Sequence, residues 1–291
     1  MSNRQWNRRH VLQAMGAGVV GAVTASRLVA KEDADKEPYK PKGNIKQSVC
    51  RWCYDSIALE KLTEEAKKMG YESIELLGPE DIKVVKKLGL TCAMMRCASI
   101  PDGLNRKENH EKIEKELRTH IDFAAAEGLP NVICMSGNRK GLADDEGLKV
   151  CAEGLKRVLG YAEEKKITIC MEGLNSKVDH KDYQGDHTAF GLAIVKAVGS
   201  PRVKLLSDLY HMQIMEGDLI RTLRDNKEYI AHFHTGGVPG RHELDDTQEV
   251  NWRAVASAIA ATGYQGYMAH EFVPTRDPLT SLREAVTLCD V

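Results

Sequence analysis

The chain has 291 residues, 42% of them hydrophobic, with 41 basic side chains against 42 acidic ones. The first 30 residues hold four arginines and no acid, so the remainder carries 37 Lys and Arg against 42 Asp and Glu, a net charge of −5. An acidic balance argues against electrostatic capture of nucleic acid or anionic lipid and points to small polar metabolites as partners.

In chain order, Asn7-Arg8-Arg9-His10-Val11-Leu12 is a twin-arginine pair leading into the Gly/Ala-rich run AMGAGVVGAVTASRLVA. That run is too short and too weakly apolar to span a bilayer by itself, so residues 1–30 read as a twin-arginine-type signal segment. Small-residue cleavage positions lie near Ala25 and Ala30. The expectation is a protein handed folded to the twin-arginine export machinery and placed in the periplasm, with the segment cleaved or kept as an N-terminal membrane anchor. The next stretch, KEDADKEPYKPKG over residues 31–43, is charged and has almost nothing to bury, and reads as a disordered linker.

Residues 44–291 have the size of one eight-stranded α/β barrel. Short apolar runs near residues 45–52, 72–77, 91–97, 131–136, 167–172, 203–208, 230–234 and 266–271 alternate with amphipathic helical stretches. The stretch before Gly70 carries Leu59, Leu62, Ala66 and Met69 on one face; the one before Gly128 carries Ile113, Leu117, Ile121 and Ala124. Five helical stretches end in glycine before a new apolar run, at Gly70, Gly89, Gly128, Gly199 and Gly263. No glycine-rich nucleotide fingerprint follows the first strand, which counts against an open dinucleotide-binding sheet. The fold class is α/β, a single (β/α)8 TIM barrel with no second domain. Eight cysteines are scattered through the chain, most within predicted elements, where a thiol acts as a small buried apolar group. Cys50-Arg-Trp-Cys53 has redox-motif spacing, but it falls in or just after a strand rather than at a helix start.

Glu172, Asp208, His234 and Glu271 close the last four apolar runs, 36, 26 and 37 residues apart, about one strand-plus-helix unit each. A parallel barrel gathers its carboxyl strand ends at one rim. Strand alternation points the four inward, with Thr168, Cys170 and Glu172 on one face, His232 and His234 on another, and Tyr267, Ala269 and Glu271 on a third. Three buried carboxylates are very unfavourable together without a cation. Mixed carboxylate and imidazole ligation suits Mn²⁺ or Mg²⁺, with Co²⁺ also compatible. Such a cation can chelate a hydroxyl and a neighbouring carbonyl and stabilise an enediolate, while Glu172 and Glu271 move a proton between adjacent carbons. Near this rim, His211 can bind a substrate oxygen and Arg241, on a glycine-rich loop, can form a bidentate pair with a substrate carboxylate. Glu75, ending the second run, can line the same mouth.

The segments Glu172-Gly-Leu-Asn175, Asp208-Leu-Tyr-His-Met-Gln-Ile-Met-Glu-Gly-Asp218, Val238-Pro-Gly-Arg-His-Glu243 and His270-Glu271 resemble the hydroxypyruvate isomerase group of the xylose-isomerase-like sugar isomerase and epimerase barrels. The resemblance extends over about residues 44–291. It implies that Glu172 and Glu271 are both metal ligands and the acid/base pair, that Asp208 is a ligand, and that His211 and Arg241 bind substrate. Hydroxypyruvate isomerases of this group carry glutamine at the position of His234, whereas related ketose epimerases carry histidine. The expected reaction is therefore aldose–ketose isomerisation of hydroxypyruvate or a similar hydroxy-carbonyl acid. A ketose 3-epimerase or a dehydratase on the same site is the nearest alternative. A metal-dependent phosphodiesterase or a non-catalytic exported sugar-binding protein is more remote. Oligomeric state, a homo-oligomer included, is left open by the sequence.

Overall fold

In the computed structural model, residues 39–96 and 99–291 are described. The signal segment read over residues 1–30, and the linker through residue 38, lie outside the described residues. The last linker residues, 39–43, differ from the expectation of disorder. The Tyr39 N–H donates to the Lys68 carbonyl at 3.0 Å, and its hydroxyl donates to Asp290 Oδ2. The Lys42 N–H donates to Asp290 Oδ1 at 2.8 Å. A segment with little to bury is thus held by polar groups of Lys68 and of Asp290 at the C-terminus, which composition does not reveal.

Among the described residues, seven parallel strands run β1 (Lys46–Cys50), β2 (Ser73–Glu75), β3 (Asn131–Met135), β4 (Thr168–Glu172), β5 (Val203–Asp208), β6 (Ile230–Thr235) and β7 (Tyr267–His270). They are ordered β2-β1-β7-β6-β5-β4-β3. Of the run predicted as a strand over residues 91–97, the described residues 91–96 form no regular strand, but they close the ring. Thr91 bridges to Ser73 of β2, and Met95 bridges both to Leu77, just past β2, and to Val132 of β3. Backbone bonds hold the segment on both sides, among them Leu76 N–H to the Met94 carbonyl and Met95 N–H to the Asn131 carbonyl. At Ala93 side chains take over: Ser73 Oγ accepts from the Ala93 N–H at 2.8 Å, and Asn131 Nδ2 donates to the Ala93 carbonyl at 3.0 Å.

The described helices are α1 (Leu59–Lys68), α2 (Pro79–Lys87), α3 (His110–Glu127), α4 (Asp144–Lys156), α5 (Leu159–Lys165), α6 (Thr188–Val198), α7 (Leu209–Met215), α8 (Leu219–Asp225), α9 (Trp252–Ala261) and α10 (Pro278–Cys289). All five predicted helix-ending glycines have φ between 69° and 91°, the left-handed region in which the last turn closes without a Cβ clash. No helix among the described residues is long and apolar enough to cross a membrane.

Alternation sorts the strand side chains into two layers. Val49, Ile74, Val132, Phe233 and Met268 join the helix faces, including Leu62, Ile82 and Ile121, in the main core. Burying each such side chain contributes about 1.5–3 kcal/mol. Met94, Ile133, Met135, Cys170 and Leu206 form a separate, smaller apolar cluster. That cluster covers one part of the barrel interior. The same face of β1, β2 and β6 carries the buried polar side chains Ser48, Ser73, Glu75, His232 and His234. The seven described cysteines are all free and buried, Cys50 and Cys53 among them.

Candidate metal centre

The four strand-end residues meet. Asp208 and His234 are register partners on β5 and β6, and Glu172 ends β4. Glu271 continues β7, its N–H donating to the Thr235 carbonyl at 2.8 Å. One ligand atom from each of the four lies within 4.8 Å of the others, and all four residues are buried. His234 Nδ1 is 2.9 Å from Glu271 Oε2, 3.2 Å from Glu172 Oε1 and 3.9 Å from Asp208 Oδ2. Despite these neighbours, this buried nitrogen has no well-directed hydrogen bond. With its proton displaced, this nitrogen and the three carboxylates make the donor set of a divalent cation, so the residues present fit one.

Charge balance leads to the same conclusion. Burial pushes Asp208 up to about 8 against the pull of Arg241, and Glu271 adds to the rise. Burial opposes ionisation of Glu271 as well, but Arg241 and His234 overcome it and hold that carboxyl well below its usual range. Glu271 and Glu172 in turn help to hold His234 well above its ordinary value against its burial. The imidazolium and Arg241 are thus the positive charges set among the three carboxylates, a balance that a divalent cation would take over. On the other side of the His234 ring, Cys50 Sγ lies 3.9 Å from Nε2, and with Glu75 it forms a second trio. Burial holds that thiol well above its ordinary value, so it supplies no thiolate, and the carboxylate side is the candidate centre.

Glu75 does not line the mouth as its strand-end position suggests. It is fully buried beneath His234, where Oε1 accepts from His232 Nε2 at 2.8 Å and from His234 Nε2 at 3.0 Å. Burial alone would raise its carboxyl; the two imidazoles outweigh it and hold the value at about 2. The reach from β2 to β6 crosses β1 and β7, whose positions in this layer are the small Ser48, Cys50 and Ala269.

A cavity of about 610 Å³ opens above the cluster, with Trp52, Glu172, His180, His211, Arg241 and Glu271 in its wall. Asp208 and His234 lie beneath, fully buried. His211 stands in the first turn of α7, where Asp208 Oδ1 accepts from the Tyr210 and His211 N–H groups at 2.8 and 3.2 Å. Its Nδ1 accepts from the Asn175 N–H at 3.1 Å, which assigns the hydrogen to Nε2. That Nε2 has no hydrogen-bond partner and sits 3.5 Å from Asp208 Oδ2. Burial, then Arg241, holds the ring well below its ordinary value, so His211 offers a neutral N–H.

Arg241 Nη2 lies 2.5 Å from Glu271 Oε2 and 3.4 Å from Asp208 Oδ2, while Nε donates to the Glu271 carbonyl at 3.2 Å. The guanidinium lies over the rings of both Trp52 and Tyr210, 5.2 and 4.9 Å from their centroids. Arg241 and a bound cation therefore address the same carboxylate oxygens.

Three contributors escaped the sequence reading of the site. Trp52 Nε1 donates to Glu271 Oε1 at 2.6 Å, from the turn whose spacing drew attention to its cysteines instead. Asn175 sets the His211 tautomer and lies inside one of the resembling segments. His232 pairs with Glu75, and its shared face with His234 was the available signal.

Residues 63–289 match the family model of the xylose isomerase-like TIM barrel. The chain is 25% identical over 235 residues to the 2-oxo-tetronate isomerase of Haemophilus influenzae, covering 75% of this chain and 89% of that one. It is 27% identical over 177 residues to the hydroxypyruvate isomerase of Escherichia coli K12, covering 60% and 67%. Among solved structures, the AP endonuclease, family 2, of Brucella melitensis superposes with a TM-score of 0.73 at 22% identity, over 82% of this chain and 97% of that one. At that identity the likeness concerns the fold. With the match running from within α1 to the end of α10, the chain belongs to the xylose isomerase-like TIM barrel family.

Proposed function

We propose that this protein is a divalent-metal-dependent isomerase interconverting hydroxypyruvate and tartronate semialdehyde. One observation carries the reading: of the four clustered residues, the two glutamates front on the cavity, between a neutral N–H donor and a guanidinium. The relatives named for hydroxypyruvate and 2-oxo-tetronate isomerisation support the same class of substrate, a small 2-oxo acid with a neighbouring hydroxyl.

Glu172, Asp208, His234 and Glu271 would hold the cation, Mn²⁺ or Mg²⁺ by donor type, with Co²⁺ compatible. When bound, the cation polarises the substrate carbonyl and stabilises the charge that develops as the proton leaves. Arg241 Nη1 is left to meet the substrate carboxylate, and the two rings keep the guanidinium from swinging away. His211 Nε2–H donates to the carbonyl oxygen without adding a charge. Glu271, held ionised, takes a proton from C3, and Glu172 is placed to deliver one to C2. The hydroxyl hydrogen passes from O3 to O2, so the reaction is an isomerisation with nothing gained or lost.

A ketose 3-epimerase would use the same glutamates and return the proton to the carbon it left, on the opposite face. Arg241 favours an acid over a neutral sugar. A phosphodiesterase with several zinc ions needs more ligating imidazoles than His234, the one histidine of the four-residue cluster among the described residues. The twin-arginine pair supports export in the folded state to the periplasm, which cell fractionation tests.

Proton NMR of the Mg²⁺-loaded protein with hydroxypyruvate in D₂O tests the reaction. The expected result is tartronate semialdehyde carrying deuterium at C2, with no conversion by Glu271→Gln. Absence of conversion with metal bound would refute hydroxypyruvate as substrate, and epimer formation from a ketose panel would replace the isomerase reading.

A further inference from the structure

We infer that Glu75 is the positioning residue of the metal centre: its buried carboxylate fixes His234 with Nδ1 turned toward the cation, and His232 holds Glu75 in place. The inference rests on the proposed reading that Glu172, Asp208, His234 and Glu271 hold a divalent cation.

An imidazole ligates through a nitrogen without hydrogen, and either ring nitrogen of a neutral histidine can be that one. Here the choice is made on the side of the ring away from the carboxylate cluster. Glu75 Oε1 lies 3.0 Å from His234 Nε2 and 2.8 Å from His232 Nε2, and one oxygen facing two ring nitrogens serves both as acceptor, so Nε2 carries the hydrogen. The lone pair is left on Nδ1, the atom surrounded by Glu271, Glu172 and Asp208. A carboxylate behind a ligating imidazole also raises its basicity toward the metal.

His232 completes the arrangement. Its Nε2 donates to the same Oε1 at 2.8 Å, and the two imidazoles stand 5.2 Å apart at 84°. Two hydrogens from one strand thus converge on one oxygen reached from across the barrel. Glu75, His232 and His234 are all fully buried, so solvent does not offer a substitute acceptor. Cys50, the remaining neighbour of Nε2 at 3.9 Å, is a weak acceptor by comparison. Glu75 is absent from the cavity wall and acts through His234 alone.

The test is Mn²⁺ affinity, read without substrate by electron paramagnetic resonance of free Mn²⁺, for wild type, Glu75→Gln, His234→Gln and the double variant. Glu75→Gln is expected to weaken Mn²⁺ binding by roughly 10- to 100-fold. In the His234→Gln background the same change should alter affinity by no more than about two-fold, because the imidazole it positions is gone. A purely structural role for Glu75 predicts equal losses in both backgrounds, and that result would overturn the inference. So would an affinity of Glu75→Gln within about two-fold of wild type.

Should Glu75→Gln fail to fold, long-range ¹H–¹⁵N spectra of the wild-type protein with Mg²⁺ decide the matter. A hydrogen on His234 Nε2 supports the inference, and one on Nδ1 refutes it. Wild type that binds no Mn²⁺ would sink the metal centre and this inference together. Strong binding untouched by Glu75→Gln would sink the role of Glu75 alone.

Discussion

Arg241→Gln removes the guanidinium that faces the ligand carboxylates. Its Nη2 lies 2.5 Å from Glu271 Oε2 and 3.4 Å from Asp208 Oδ2, and its side chain is 14% exposed. Removing one partner of a buried ion pair costs about 3–5 kcal/mol, since the other charge is left uncompensated. In a chain of this size that lowers the melting temperature by on the order of 10 °C. A divalent cation among the same oxygens supplies the missing charge, so with Mg²⁺ saturating the cost should fall to about 1 kcal/mol, typical of one lost hydrogen bond. Linkage joins the two figures: the difference, about 2–4 kcal/mol, must reappear as roughly 30- to 700-fold tighter Mg²⁺ binding by the variant. Urea unfolding in chelator and in Mg²⁺ gives the first quantity, and calorimetric titration gives the second. Burial holds Asp208 at about 8 even against the pull of Arg241, and the variant's carboxyl rises further. The measurement therefore belongs well above that pH, where proton uptake by the cluster masks least of the loss. Equal destabilisation in chelator and in Mg²⁺ would refute the reasoning, as would an affinity gain that does not match the difference.

Glu172→Gln and Glu271→Gln, assayed at saturating Mn²⁺, should each lower kcat by about 10²- to 10⁴-fold and abolish solvent deuterium uptake into substrate. Uptake that persists in both would remove the glutamates from the proton transfer. Gly237→Ala places a Cβ 2.2 Å from the Glu243 carbonyl and 2.9 Å from that of His242, in the loop whose Gly237 carbonyl accepts from the Arg241 N–H. The expected outcome is a loss of about 1–3 kcal/mol in unfolding measurements and a higher KM for the acid substrate, and an unchanged KM would contradict it. Burial lowers His270 from 6.5 to about 3, with Gln47 Oε1 and Thr235 Oγ1 as its partners at 2.8 and 2.9 Å. Between those values the unfolded chain holds the proton and the folded chain does not. Stability therefore rises with pH across that window and is lost as the solution is acidified, by about 1.4 kcal/mol per unit at most. His211, also lowered by burial, acts in the same sense. In a urea series over pH, His270→Gln should flatten the slope by about one proton, and an unaltered slope would show that His270 takes up its proton in the folded state.

The sequence by itself determined the barrel and the set of rim residues, because both follow from short-range periodicity. Alternation with a period of two places Glu172, Asp208 and His234 on the inner face at the ends of β4, β5 and β6, and the parallel ring then makes them neighbours. The helix-ending glycines were equally local, being fixed by the left-handed turn each one closes. What only the tertiary structure decided are contacts that cross the ring. Glu75 stands 159 positions from His234 and reaches it because the intervening strands present small side chains, a condition no local pattern announces. Trp52 stands 219 positions from the Glu271 carboxylate it contacts, so its turn drew notice only for the spacing of two cysteines. Residues 91–95 keep their place in the ring while Ser73 and Asn131 side chains take over from the backbone at Ala93, a substitution invisible until the neighbours are known. Period and turn chemistry act between residues a few positions apart. Which side chain fills the space inside a closed barrel depends on every strand of the ring at once.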